Sequence, residues 1–397
     1  MEYIKRGTSA FKNANLALFA GGFSTFAILW GTQPLLPEIA REFNVSPATS
    51  SLSQSSTTIA LAISLLIAGS LSDVYGRKSV MTFSLLASSI LAICTGFATG
   101  FHMLVFGRIL QGITLAGLPA VAMAYLGEEI EGKSLGMAMG LYISGNSIGG
   151  MSGRIISGVL TDYFSWHIAL MGIGFISLLS SIIFMTLLPK SAHFEPQSFK
   201  LTSLSGSLFS QFKVPGLTYL FTIGFLLMGG FVSLYNYIGF ELIAPPYSLS
   251  QTVVGFIFIV YIVGTFSSTW MGMLADQYGK NKILPLSLII MLAGVLTTLH
   301  PNLWVKIIGI AVFTYGFFAG HSIASSWVGR LALHDKAQAS ALYLSAYYAG
   351  SSVGGTVSGS FYHQWDWPGV VWMIVALSVI SIGISMRLGK RENVRST

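Results

Sequence analysis

The sequence predicts an all-α membrane protein with twelve transmembrane helices in two homologous six-helix bundles. Three observations carry that expectation. Only 9% of the 397 residues are charged and 53% are hydrophobic, whereas an ordinary soluble domain is about 25% charged. Apolar segments follow one another from end to end, each close to the roughly 20 residues that a bilayer crossing needs. Motifs of the first half return in the second at nearly constant spacing. A chain so poor in charge cannot cover its surface in water, but lipid tails tolerate an apolar exterior.

The apolar segments lie near 16–36, 52–72, 79–97, 103–126, 135–160 and 166–188, then near 216–240, 251–274, 283–299, 303–328, 337–361 and 368–388. A more polar stretch with Pro189, Pro196 and Pro215 separates the two sets. The expected domains are therefore a bundle at 1–188, a linker at 189–215 and a bundle at 216–397. Lys and Arg occupy alternate gaps. With the N-terminus inside, Arg41 and Lys306 fall outside, Arg108 and Arg154 lie within spans, and all the rest of the 21 basic residues fall inside. That bias predicts cytoplasmic termini in the inner membrane. It also explains the net charge of +7 as a topology signal rather than a nucleic-acid footprint. The run after Lys5, Arg6 and Lys12 is too long for a secretory h-region and reads as an uncleaved first helix. The single cysteine, Cys94, allows no internal disulfide and reads as a small packing residue.

The repeat is explicit in the residues. GSLSDVYGRK at 69–78 is matched by GMLADQYGKN at 272–281: Gly69, Leu71, Asp73, Tyr75 and Gly76 return as Gly272, Leu274, Asp276, Tyr278 and Gly279, each 203 positions later. GNSIGG at 145–150 is matched by GSSVGG at 350–355. Six spans have been duplicated, and a site near the bilayer midplane between two such repeats is the arrangement expected of a carrier.

These residues resemble a known family. GSLSDVYGRKSV is similar to the loop signature of the major facilitator superfamily, and GMLADQYGKNK to its second copy. RILQG at 108–112 resembles that family's fourth-helix signature. YNYIGFELIAPPYSLSQ at 235–251 and FFAGHSIASSWVG at 317–329 resemble the YnfM-type branch, which sits near the drug and metabolite exporters. The resemblance implies a secondary active transporter working by alternating access, with proton-coupled export of a drug or metabolite as the leading expectation. Uptake or exchange of a sugar or organic acid stays open, as does a membrane receptor on a transporter scaffold. An enzyme is not expected, because no cluster of His, Asp, Glu or Cys sits at membrane depth. No phosphate loop of the Walker type is present, and no cofactor or metal is implied. The expected partners are the bilayer, a small molecule and protons, and a monomer suffices.

Candidate site residues follow. In the loop signatures, Gly69 is expected to allow close helix approach, and Asp73, Gly76 and Arg77 to form a gating cluster with Glu128 or Glu129 as acid partner. Gly272, Asp276, Gly279 and Lys280 are the second copy. A topology signal is the competing reading for all of them. Arg108 and Arg154 lie inside spans, where an arginine is costly and faces a cavity or a partner, or else snorkels to the interface. With Glu241 and His321 they are the coupling candidates, since no Asp or Glu occupies the centre of a span. Gly145, Asn146, Gly149, Gly150, Gly350, Gly354 and Gly355 are expected at helix contacts. Asn146 stands where exporters of this superfamily often carry proline. Trp30, Gln33, Tyr235, Asn236 and Tyr237 are candidates to line a substrate cavity, or interface anchors.

Overall fold

The computed structural model describes residues 3–194, 201–332 and 336–396, and nearly all of them are helical. Helix α1, Ser9–Trp30, begins where the Thr8 hydroxyl accepts from the Phe11 N–H at 3.2 Å, as an N-cap does. It ends at Gly31, earlier than the apolar run at 16–36 suggested. Pro34 lacks an N–H, and the chain continues as a short turn, Gln33–Leu35, and a short helix, Leu36–Glu42. The next helices are α2, Pro47–Tyr75; α3, Arg77–Thr95; α4, Phe101–Glu129; α5, Gly132–Tyr163; and α6, Trp166–Leu187. The linker carries a helix of its own, Leu201–Gln211, while its stretch 195–200 with Pro196 and Lys200 lies outside the described residues. Then come α7, Leu217–Ile243; α8, Gln251–Tyr278; α9, Lys280–Thr297; and α10, Leu303–Leu331.

The last helical run, Lys336–Ser396, is two helices: Trp365 and Asp366 leave helical geometry, and Asp366 has φ +49°. Pro368 follows at the start of the second piece, where its fixed φ is tolerated. The pieces are α11, 336–364, and α12, 367–396. Among the described residues ten helical runs are long and apolar enough to cross a membrane, the last counted undivided. Dividing it and adding α5, which is 32 residues long but rich in Gly and Ser, makes the twelve expected spans. Phe83, Phe106 and Trp372, on three different spans, are each more than half exposed, which suits lipid rather than water. Cys94 is also exposed, so it faces outward on α3 instead of packing in a core as expected.

The chain divides into two compact units. One comprises Met1–Ile39, Ser56–Leu201 and Gln251–Phe256; the other comprises Ala40–Ser55, Thr202–Ser250 and Ile257–Thr397. Segments 40–55 and 251–256 thus group differently from the sequence-derived bundles. Each unit has one helix far more enclosed than the others: 78% of the apolar stretch within Ser9–Glu42 and 72% of that within α7 are buried, against 39% in α3, α6, α8 and α9.

Glycines make that enclosure possible. A Cβ on Gly145 would lie 2.5 Å from the Phe19 carbonyl oxygen, and one on Gly149 would lie 2.5 Å from the Phe23 Cα. Gly153 continues the row against Ala27. In the other unit Gly350 and Gly354 press on Phe225 and Gly229 of α7 in the same manner. The duplicated glycines thus dock α5 on α1 and α11 on α7, as small residues do between membrane helices. Gly69 and Gly272 do not behave as expected. A Cβ at either would meet nothing within 4 Å, so neither brings two helices together here.

The loop glycines have a different task. Gly76 (φ +92°, ψ 142°) and Gly279 (φ +97°, ψ 136°) precede α3 and α9 in almost the same backbone conformation, one that residues with a Cβ rarely adopt. Gly76→Ala is expected to lower stability by about 1–3 kcal/mol, the usual cost of such strain. Gly136→Ala, in helical backbone with open space around its Cβ, should instead stabilise by up to about 1 kcal/mol. Thermal unfolding of the two variants in detergent checks the contrast; equal shifts would remove the backbone argument.

Candidate functional site

The loop cluster is built on the α2–α3 junction. Arg77 is 12% exposed and faces two carboxylates. Its Nε donates to Glu128 Oε2 at 3.1 Å and its Nη2 to Glu128 Oε1 at 2.7 Å, a forked pairing. Its Nη1 also donates to Asp73 Oδ1 and Ser72 Oγ. A forked arginine–carboxylate pair is among the stronger polar contacts a protein makes. Of the two acids anticipated after α4, Glu128 is the partner; Glu129 is occupied by His193, with Nδ1 to Oε2 at 3.1 Å. The second copy is looser. Lys280 lies 3.6 Å from Asp276, whose side chain is 77% exposed, and donates to Ser326 Oγ at 2.6 Å.

Arg108 is fully enclosed, at 1% exposure, so it does not snorkel. Its Nη1 donates to the Ile28 carbonyl and its Nη2 to the Leu29 carbonyl, both at 3.1 Å. These are last-turn carbonyls of α1, which lack intrahelical partners and sit at the negative end of the helix dipole. The guanidinium therefore caps the enclosed helix of its own unit. Gln111, one turn along α4, accepts from Arg108 Nη1 and donates to Thr95 Oγ1 at 3.0 Å.

Arg154 is likewise 1% exposed. Its Nε donates to Gln33 Oε1 and its Nη1 to the Gly150 carbonyl, both at 2.8 Å. The guanidinium carbon lies 4.9 Å from the centre of the Trp30 ring, a cation–π distance. Three candidates chosen separately, Trp30, Gln33 and Arg154, are thus one cluster between the end of α1 and α5. Gly150 serves it through its carbonyl rather than through close helix contact. Asn146 points its amide oxygen at Gly22 of α1.

The second unit buries a set of packed aromatic rings. Phe231 stacks on Phe317 with centroids 3.7 Å apart, and Tyr235 stacks on Phe258 at 5.0 Å. Tyr235 shares a 2.6 Å hydrogen bond with Thr314 Oγ1, Tyr237 donates to the Gly355 carbonyl at 2.8 Å, and Asn236 is buried beside Gly355. His321 joins this aromatic wall: its Nδ1 is 3.0 Å from the Tyr343 hydroxyl and its ring is 4.5 Å from that of Tyr347. Glu241 is not a solvated loop charge. It pairs at 2.9 Å with Lys306, which is 2% exposed and lies 5.4 Å from each of the rings of Tyr247 and Trp367. Partial burial and then the Glu241 carboxylate push the Tyr247 phenol upward.

Gln111, Lys306, Gly153 and the ring set around Phe231 escaped the sequence reading. Gln111 had a signal, because it stands three residues after Arg108 on the same helix face. Lys306 stood out only as an outer basic residue, and its partner had no signal, since only the fold brings α10 to Glu241.

The whole chain matches known proteins. The model of the Major Facilitator Superfamily matches residues 18–245 and 220–396. The chain is 53% identical over 390 residues to the MFS-type transporter YybF of Bacillus subtilis, covering 98% of this chain and 96% of that one. It is 47% identical over 390 residues to the inner membrane transport protein YnfM of Escherichia coli, covering 98% and 94%. Among solved structures it resembles the nucleoside transporter NupG, with a TM-score of 0.78 at 18% identity over 94% of this chain and 99% of that one. It also resembles a bacterial homologue of the human lysosomal transporter Spinster, with a TM-score of 0.79 at 15% identity over 97% and 98%.

Proposed function

The chain belongs to the Major Facilitator Superfamily, and from that premise we propose that this multi-pass secondary transporter exports an amphipathic organic compound in exchange for protons. Its transport role, as opposed to catalysis, comes with the family. Cargo, direction and drive are our reading. The observation that carries it is the difference in chemistry between the two units. The first buries a cationic, hydrogen-bonding cluster of Arg154, Gln33 and Trp30. The second buries a wall of rings around Phe231, Tyr235 and Phe317. The first chemistry suits a polar or anionic group and the second an apolar body, and an amphipathic compound carries both.

Of the coupling candidates, His321 is the side chain whose charge ordinarily changes near neutral pH, and its Nδ1 lies against the Tyr343 hydroxyl. Glu241 is engaged by Lys306. The reading also keeps both termini in the cytoplasm, on the distribution of Lys and Arg.

The test is retention of a dye and drug panel by cells stripped of their own exporters, with and without an uncoupler. Lower retention that the uncoupler abolishes is expected, and Arg154→Gln at equal expression should cut the effect about tenfold or more, the size of a lost charge-assisted hydrogen bond. Extrusion that survives the uncoupler would reject proton drive. No extrusion of any compound would reject export and point to a metabolite carrier.

A further inference from the structure

A basic groove outside these clusters has chemistry of its own. It is a cavity of about 630 Å³ in the first unit, where the start of α3 meets the end of α6. Arg77, Lys78 and Lys190 line it with Ser79, Thr82 and Ser191, and no carboxylate is among its described lining residues. Arg77 already answers to Asp73 and Glu128, and Lys78 donates to the Leu188 carbonyl. Lys190 is exposed at the rim. Thr82 Oγ1 and Ser191 Oγ are buried without a hydrogen-bond partner among the described residues. A buried hydroxyl ordinarily has one.

The groove changes character along its length. Ser79, Thr82, Phe83 and Leu86 of α3 all line it, at the spacing that puts residues on one helix face. Within two turns, roughly 10 Å, that face passes from cations and hydroxyls to hydrocarbon. Phe83 is 68% exposed, and Met185 of α6, at 40%, completes the apolar end. Free phosphate has no use for that end, and a lipid without net charge has little use for Lys78 and Lys190.

We propose that this groove holds one anionic phospholipid. Its phosphate lies against Lys78, Lys190 and the exposed Ser79, and an acyl chain runs along Phe83, Leu86 and Met185. Basic pockets between membrane helices bind anionic headgroups in this way. The bound lipid would also sit beside Arg77, next to the ion pairs of the α2–α3 loop. The inference is independent of the cargo, direction and drive proposed above, because its readout is lipid binding alone.

Native mass spectrometry of the purified full chain tests it, with phosphatidylglycerol, phosphatidylcholine of the same acyl chains, and inorganic phosphate as competitor. Phosphatidylglycerol should be retained about fivefold or more over phosphatidylcholine. Lys190→Gln should lose about fivefold of that retention, the usual share of one basic residue at an anionic lipid surface. Lys190→Arg should restore it. The exposed position of Lys190 keeps the variants folded, which elution on size exclusion verifies. Equal retention of the two lipids, or no change in Lys190→Gln, would overturn the proposal. Displacement of phosphatidylglycerol by equimolar inorganic phosphate would reassign the groove as a bare anion site and overturn it too.

Discussion

Gly149→Ala is expected to destabilise the protein by about 1–3 kcal/mol, although it adds one methyl group and improves helix propensity. Around that methyl the nearest atoms are the Phe23 carbonyl oxygen, Cα and C, the last two at 2.5 and 2.7 Å. All three are backbone, so no rotamer change relieves the clash, and α5 must move off α1. Overpacking of this kind costs about 1–3 kcal/mol and occasionally more, against about 1 kcal/mol gained from replacing a helical glycine. The clash wins. Gly140→Ala on the same helix, with open space around its Cβ, isolates the propensity gain and should stabilise. Thermal unfolding in detergent and the fraction eluting as a single species give the readout. The same contrast should appear in the other unit at Gly354, whose Cβ would lie 2.5 Å from the Gly229 Cα. If Gly149→Ala and Gly140→Ala shift stability alike, the glycine row does not hold the helices together.

Arg108→Met is the second large expected effect, and it falls on transport more than on stability. Removing the guanidinium leaves the Ile28 and Leu29 carbonyls and the Gln111 amide oxygen without the donor they now share, at about 1–3 kcal/mol for each group left unsatisfied. It also removes a fully buried charge, whose desolvation costs several kcal/mol. The terms oppose each other, so the net change should stay within about 2 kcal/mol. Transport per folded molecule should fall at least tenfold, because the end of the most enclosed helix loses its cap. That end also positions Trp30 and Gln33 for Arg154. Arg108→Lys keeps the charge without the fork and should recover only part of the rate. Transport that merely tracks the amount of folded protein would assign Arg108 a structural role alone.

Much of this molecule was legible without coordinates, for a physical reason in each case. A bilayer demands long apolar segments and charge confined to loops, so the helices could be read from composition. Duplication leaves residue-for-residue traces, so Gly76 and Gly279 were paired on sequence and proved to share a backbone conformation. The Arg77–Glu128 pair was legible because basic and acidic loop residues on one side of the membrane have few partners to choose from.

The interior was not legible in the same way. Arg108 binds carbonyl oxygens, and every residue has a carbonyl, so no side chain announces that contact. Arg154 reaches Gln33 across 121 positions of sequence, and Lys306 reaches Glu241 across 65; both depend on the rotation of one packed helix against another. Gly69 and Gly149 look alike as letters, yet one faces open space and the other a helix backbone. The sequence by itself determined the solvent, the span count and the repeat, because those depend on composition and order. Only the tertiary structure decided which buried charges meet which partners, because that depends on helix phase and contact, which side-chain identity does not encode.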